Sequence, residues 1–226
     1  MSETHKRKNG EMKKCLVFAA SNHYSYVPFP GKDVFVIAVD GGYKRLSQLK
    51  IEIDLLVGDF DSMQKAEIES SFSKGKIIEL KKEKDETDTL YAIKKGIEKG
   101  CKEFYIFGGT GNRVDHTIAN IQCLAYLAQE GARGFLYGKD FIMTSIKDGE
   151  IKFDEKQKGY VSMFSQTESS KGVCIEGLKY ELKDAEVNSA FPIGVSNEFI
   201  GKAGIIKVRK GILLVVFPNT RRKIVL

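Results

Sequence analysis

The chain has 226 residues, 42% of them hydrophobic and 29% charged, with a formal net charge of +6. That is enough apolar material to bury a core, as one large or two small domains. No apolar run approaches the ~18 residues a membrane helix needs, and the lysines are scattered, as at Lys94, Lys95 and Lys99, rather than striped with aromatics. Composition therefore argues against a membrane or nucleic-acid partner, while the positive excess suits attraction of a polyanionic small molecule such as a nucleotide triphosphate.

In chain order, residues 1–14 are basic and polar and read as a frayed terminal tail rather than a targeting signal. Residues 15–20, 34–39, 55–57, 76–80, 104–107 and 135–137 are short runs rich in Val, Ile, Phe and Leu, the pattern of strands buried on both faces. Helical stretches fall between them. One begins near Tyr43 and another at Met63. Residues 86–100 space Leu90, Ile93 and Ile97 along one helix, residues 115–131 space Ile118, Ile121, Leu124 and Leu127 along the next, and both runs end in Gly. This alternation predicts βαβ units and a mostly parallel sheet flanked by helices over residues 12–144.

After Thr144 the texture changes. Helical periodicity fades, glycines punctuate short apolar runs, and residues 204–218 read as a hairpin turning near Lys210-Gly211. Residues 145–226 are expected to form a smaller C-terminal β-sandwich domain. The four cysteines, at 15, 101, 123 and 174, show no CxxC or metal spacing and read as reduced packing residues of a cytoplasmic protein.

Aspartates recur where the α/β half has strand ends and helix starts: Asp40, Asp59, Asp61, Asp85, Asp88 and Asp115. In an open parallel sheet all strands end on one edge, so acids distant in sequence meet in one crevice. Asp40 follows an apolar run and precedes Gly41-Gly42; it either faces a ligand there or caps the next helix. Asp59 and Asp61 are like charges two residues apart. They repel unless a cation or strong donors lie between them, and Mg²⁺ takes one or two carboxylates while keeping waters for phosphate exchange; the plain alternative is a polar turn, with Ser62 capping the helix from Met63. Asp85-Glu86-Thr87-Asp88 is a helix start, with Asp85 or Thr87 as its cap, from which Asp88 could complete a metal site.

Gly108-Gly109-Thr110-Gly111-Asn112-Arg113 follows a strand and precedes a helix. Its backbone N–H groups can form an anion-binding nest, and Arg113 offers a planar fork to phosphate oxygens. It is neither a Walker A loop nor a complete GxGxxG.

Together, Asp40-Gly41-Gly42, Gly58-Asp59-Phe60-Asp61-Ser62, Lys84-Asp85-Glu86-Thr87-Asp88, Gly108-Gly109-Thr110-Gly111 with Arg113-Val114-Asp115-His116, and Ser196-Asn197-Glu198 resemble the thiamine pyrophosphokinase (thiamine diphosphokinase) family, in the family's order and over most of residues 34–217. The resemblance implies transfer of pyrophosphate from ATP to the hydroxyl of thiamine, giving thiamine diphosphate and AMP. It implies an α/β nucleotide-binding domain, a thiamine-binding β-sandwich, and a homodimer with sites at the subunit interface. It makes Asp59, Asp61 and Asp88 the Mg²⁺ ligands and catalytic residues. It places Asp40, Asp85, Gly109, Thr110, Gly111, Arg113 and Asp115 near substrate and nucleotide, and Ser196 and Asn197 beside the thiamine pocket.

The chain departs from the pattern at Ala19-Ala20-Ser21-Asn22-His23, where an Asn-Gly type turn is expected, and at Asn112, where glycine is commoner. His116 reads as a first-turn helix residue rather than a base. With no Trp in the chain, a ring stacked on thiamine must come from Tyr or Phe, with Phe199 as the candidate. Rival readings are a pyrophosphokinase acting on another heterocyclic alcohol such as a pterin, a metal-dependent phosphohydrolase, and a nucleotide or thiamine sensor without turnover.

Overall fold

The computed structural model describes residues 13–21, 34–60, 77–81, 83 and 85–220. The helix expected from Met63 lies outside them. Strands β1 (Lys13–Phe18), β2 (Val34–Val39), β3 (Leu55–Gly58), β4 (Ile77–Glu79), β5 (Cys101–Phe107) and β6 (Arg133–Tyr137) pair in parallel in the order β4-β3-β2-β1-β5-β6. Lys13 and Lys14, expected in the frayed tail, belong to β1 and pair with β5.

Strand alternation decides which helix each side chain meets. Cys15, Val17, Ile37, Val57, Phe104 and Ile106 share one face with residues of α2 (Asp88–Glu98) and α3 (Val114–Gln129). Leu16, Phe18, Val36, Ala38, Leu56 and Phe107 share the other with Tyr43 and Leu46 of α1 (Gly42–Gln48). Burial on both faces is why these strands read as unbroken apolar runs.

Helix faces differ from the expected stripes. In α3 the buried residues are Asn120, Cys123, Leu124 and Leu127, while Ile118 is 54% exposed. The buried seam thus includes Asn120, whose side chain turns inward to make a hydrogen bond.

The parallel sheet does not stop at β6. It continues through antiparallel strands β7 (Phe141–Lys147), β14 (Ile212–Pro218), β9 (Tyr160–Ser165) and β12 (Asn197–Glu198), giving ten strands in one sheet. A second, four-stranded antiparallel sheet runs β11 (Leu182–Asn188), β10 (Ser169–Glu176), β13 (Gly204–Lys207), β8 (Glu150–Phe153). Side chains of both sheets, among them Phe153, Met163, Val173, Ile175, Ile206, Leu213 and Val215, fill the core between them. The division expected after residue 144 falls within β7.

The hairpin expected over residues 204–218 is not formed. β13 pairs with β8 and β10, whereas β14 pairs with β7 and β9. The chain crosses between sheets at Arg209 and Lys210, whose N–H groups both donate to the Lys171 carbonyl, so the turn signal at Lys210-Gly211 marks a sandwich corner.

Candidate active site

Sheet order places the site. The chain builds outward from β1 on one side through β2, β3 and β4, then returns to the other side for β5 and β6, so the connections leaving β1 and β5 diverge at their C-terminal ends and open a crevice. A cleft of about 720 Å³ occupies that edge, within the range of about 300–1,000 Å³ usual for small-molecule sites. It is lined by Ala19 to Ser21 after β1, Asp40 after β2, Asp59 after β3, Glu86 to Thr89 at the start of α2, and Gly108 to Arg113 after β5, with His116, Thr117 and Asn120 of α3.

One wall is acidic. Asp40 sits just past β2 with φ 46°, its N–H donating to the Val57 carbonyl at 2.9 Å. A Cβ on Gly58 would lie 2.2 Å from its Oδ1, so only glycine at 58 leaves room for the carboxylate. Thr87 caps α2, its Oγ1 accepting the Leu90 N–H at 3.2 Å, which sets Asp88 as the first helical residue. Burial, then the negative charges of Asp88 and Asp59, push the Asp40 carboxyl up to about 6, while a hydrogen bond from the Asp59 backbone pulls the other way. Asp40 Oδ1 is buried with no hydrogen-bond partner, and Asp88 Oδ1 is buried too.

A carboxylate whose proton affinity is raised by burial and by its acidic neighbours, with an orphaned buried oxygen, is what a divalent cation would relieve. Among the described residues no three His, Cys, Asp or Glu side chains are grouped to hold a metal by themselves, but Mg²⁺ needs only one or two carboxylates and retains waters. Asp61 lies outside the described residues. The residues present therefore fit a hard cation.

The opposite wall is backbone. Gly108 (φ 67°) turns the chain out of β5, and a Cβ there would lie 2.4 Å from the carbonyl oxygens of Ala19 and Ser21. The two turns are zipped together: Ala19 N–H donates to Phe107 O at 2.8 Å and Ser21 N–H to Gly108 O at 3.2 Å. Small residues at 19–21 thus serve where an Asn-Gly turn was expected. Asn112 is not among the residues with left-handed φ, so replacing glycine there strains nothing.

Arg113 lines the rim, paired bidentately with Asp115 at 2.6 and 3.3 Å, both side chains well exposed. Hydrogen bonding to Arg113 holds the Asp115 carboxyl below its usual range. Asp115 and Asp85 are exposed and do not line the cleft. Glu86, Thr89, Thr117 and Asn120 line it and were not singled out from sequence. Asn120 carried the one legible signal, a polar residue four before Leu124 and seven before Leu127. It is 5% exposed, and its Nδ2 donates to Gly109 O at 2.7 Å, tethering the glycine turn to α3.

Ser196 and Asn197 lie on the sandwich and do not line this cleft. Ser196 has φ 60° and its N–H donates to Ser162 Oγ at 3.0 Å. Asn197 is buried, accepting from the N–H groups of Tyr180 and Glu198 and donating to Tyr180 O, so its amide shapes the segment. Phe199, the candidate stacking ring, is instead buried in the sandwich core, edge-on to Phe153 at 5.0 Å. The exposed rings of this half are Tyr160, Tyr180 and Phe191.

Comparison with known proteins agrees with this layout. Residues 31–136 match the thiamin pyrophosphokinase catalytic domain and residues 149–213 the thiamin pyrophosphokinase vitamin B1 binding domain. The chain is 30% identical over 184 residues to the thiamine pyrophosphokinase of Bacillus subtilis (strain 168), an alignment covering 80% of this chain and 85% of that protein. A crystal structure of thiamine pyrophosphokinase from Bacillus subtilis superposes with a TM-score of 0.81 at 26% identity, covering 92% of this chain and all of that one. Thiamin pyrophosphokinase from Candida albicans shares the fold, with a TM-score of 0.73 at 17% identity over 92% of this chain and 90% of that one. By sequence and by architecture, the chain belongs to the thiamine pyrophosphokinase family.

Proposed function

We propose that this protein transfers the pyrophosphoryl group of ATP to the hydroxyl of thiamine, giving thiamine diphosphate and AMP. The observation that carries the reading is the cleft itself, with backbone donors on one wall and mutually repelling carboxylates on the other, in a chain matched over both family domains. The thiamine hydroxyl oxygen bonds to the β-phosphorus, the bond from that phosphorus to the α,β-bridging oxygen breaks, AMP leaves, and the hydroxyl proton is released.

Each wall has its task. The N–H groups of the glycine turn and the Arg113 fork hold phosphate oxygens, which requires Arg113 to leave Asp115. The acidic wall attracts the thiazolium cation of thiamine. Asp59, Asp61 and Asp88 would hold Mg²⁺, with Asp40 beside them. Bound there, the ion supplies charge neutralisation of the triphosphate as the bridging oxygen leaves. Positioning and charge balance rather than covalent chemistry carry the rate, with direct in-line transfer and no phospho-enzyme.

The reading includes a homodimer with sites between subunits and a cytoplasmic setting. Phe191, Ile193, Val195 and Ile200 are exposed around Ser196 and Asn197, while Val114 and Ile118 are exposed beside the cleft. Joining these two patches across a two-fold would bury both and bring the sandwich of one subunit over the cleft of the other. The cysteines are all free, as a reducing compartment allows.

The deciding experiment mixes purified protein with ATP, Mg²⁺ and thiamine and follows AMP and thiamine diphosphate by chromatography. AMP without a thiamine product would point to another acceptor or to hydrolysis; nucleotide binding without turnover would point to a sensor. Light scattering coupled to size exclusion tests the dimer.

A further inference from the structure

Helix α3 begins at the nucleotide edge but packs along β6, β7 and β14, so it lies against both halves of the long sheet. A side chain from the sandwich also hydrogen-bonds to it. Gln166, just past β9, donates from Nε2 to the Ile121 carbonyl at 3.2 Å, and its Oε1 accepts from Ser145 Oγ of β7 at 2.5 Å. Its own N–H donates to Ile212 O of β14 at 2.8 Å, so its backbone is fixed by the sheet. The amide is therefore held at both ends, with its orientation set by a buried hydroxyl.

Ile121 follows Asn120 directly, and Asn120 holds the Gly109 carbonyl. A carbonyl inside a helix already accepts from the N–H four residues on, so the Gln166 bond is not needed to satisfy the helix. What it adds is a fixed roll and height of α3 on the sheet. Asn120 sits about 100° around the helix from Ile121, so any roll released at Ile121 carries Asn120, and with it Gly109, away from its place.

We infer that Gln166 is a positioning residue through which the sandwich half sets the placement of the glycine turn, by way of α3 and Asn120, and so tunes nucleotide affinity. The inference rests on reading that turn as the ATP-phosphate cradle. It gives the vitamin-binding half a role in holding ATP through residues that do not touch thiamine.

Two variants test it. Gln166→Met keeps the length and removes both hydrogen bonds; Gln166→Glu keeps an acceptor for Ser145 and loses the donor to Ile121. In both, KM for ATP should rise about three- to tenfold, the size of one lost hydrogen bond, with kcat and KM for thiamine within about twofold of wild type. In an Asn120→Ala background, Gln166→Met should add no further rise. Amide exchange at residues 108–112 should quicken in Gln166→Met while β7, β9 and β14 keep their protection. Equal rises in both KM values, additivity with Asn120→Ala, wild-type behaviour of Gln166→Glu, or faster exchange confined to the strands would each overturn the inference. Absence of ATP turnover in the wild type would sink the functional reading instead, and the exchange measurement would still decide whether Gln166 governs the turn.

Discussion

Asn120→Ala is the sharpest test of how the site is built. The side chain is 5% exposed and its Nδ2 lies 2.7 Å from Gly109 O, itself in a buried turn. Deleting the amide loses a hydrogen bond worth about 1 kcal/mol net and leaves a buried carbonyl unpaired at about 1–3 kcal/mol more, so roughly 2–4 kcal/mol in all. For a chain of this size each kcal/mol lowers Tm by about 2–4 °C, so the melt followed by circular dichroism should fall by roughly 4–16 °C. KM for ATP should rise while KM for thiamine holds. Gly109→Ala attacks the same joint from the other side, because its Cβ would lie 2.7 Å from Leu136 Cδ1 and 3.1 Å from Asn120 Nδ2. With Asn120 already shortened part of that crowding is gone, so the double variant should lose less than the sum of the singles. A Tm within about 1 °C of wild type for Asn120→Ala, or strict additivity of the pair, would refute the tether.

Other outcomes follow from the proposed metal set and from the described geometry. Asp61→Asn should cut turnover by orders of magnitude with Tm unchanged, since charge balance rather than packing is lost; near-normal rates at limiting Mg²⁺ would remove Asp61 from the metal set. The Asp40 carboxyl is raised from 3.8 to about 6, so its folded form prefers the proton. The cost of ionising it is absent below about pH 4, grows through the interval and is complete above about pH 6, at about 1–2 kcal/mol after allowing for partial exposure. In chelator, Asp40→Asn should therefore melt higher than wild type at pH 8 and with it at pH 4, and a lower melt at pH 8 would contradict burial and repulsion as the cause. A maleimide at pH 8 should label only half-buried Cys174 in the folded protein, because Cys15, Cys101 and Cys123 are buried; burial also pushes the Cys15 and Cys123 thiols up, and although a hydrogen bond with Cys15 lowers the Cys101 thiol, its burial blocks the reagent; mass spectrometry of the four cysteine-containing peptides checks this.

The parallel half was legible because its strands are buried on both faces and so announce themselves as apolar runs; Val34–Val39 forms as read, and Thr87 is one of the two caps expected. The acidic wall was legible because Asp40, Asp59 and Asp88 stand where strands end or helices begin. What escaped depends on distant partners. Asn120 needed the position of Gly109 to have meaning, and it is buried where Ile118 was expected to be and is not. Lys210-Gly211 carries a turn signal that local sequence cannot resolve into hairpin or sheet corner, since only the pairings of β13 and β14 decide it. Phe199 looked available because it adjoins Ser196-Asn197, but alternation along its segment points it into the core.

The ten-stranded sheet has a mechanical consequence. β6 and β7 are hydrogen-bonded neighbours, so there is no hinge at which the nucleotide and vitamin halves could swing together like jaws. Shielding the reacting phosphates from bulk water therefore falls to short segments at the sheet's rim and, in the proposed homodimer, to the opposing subunit, and the rate at which they settle, rather than a domain rotation, would gate the catalytic cycle.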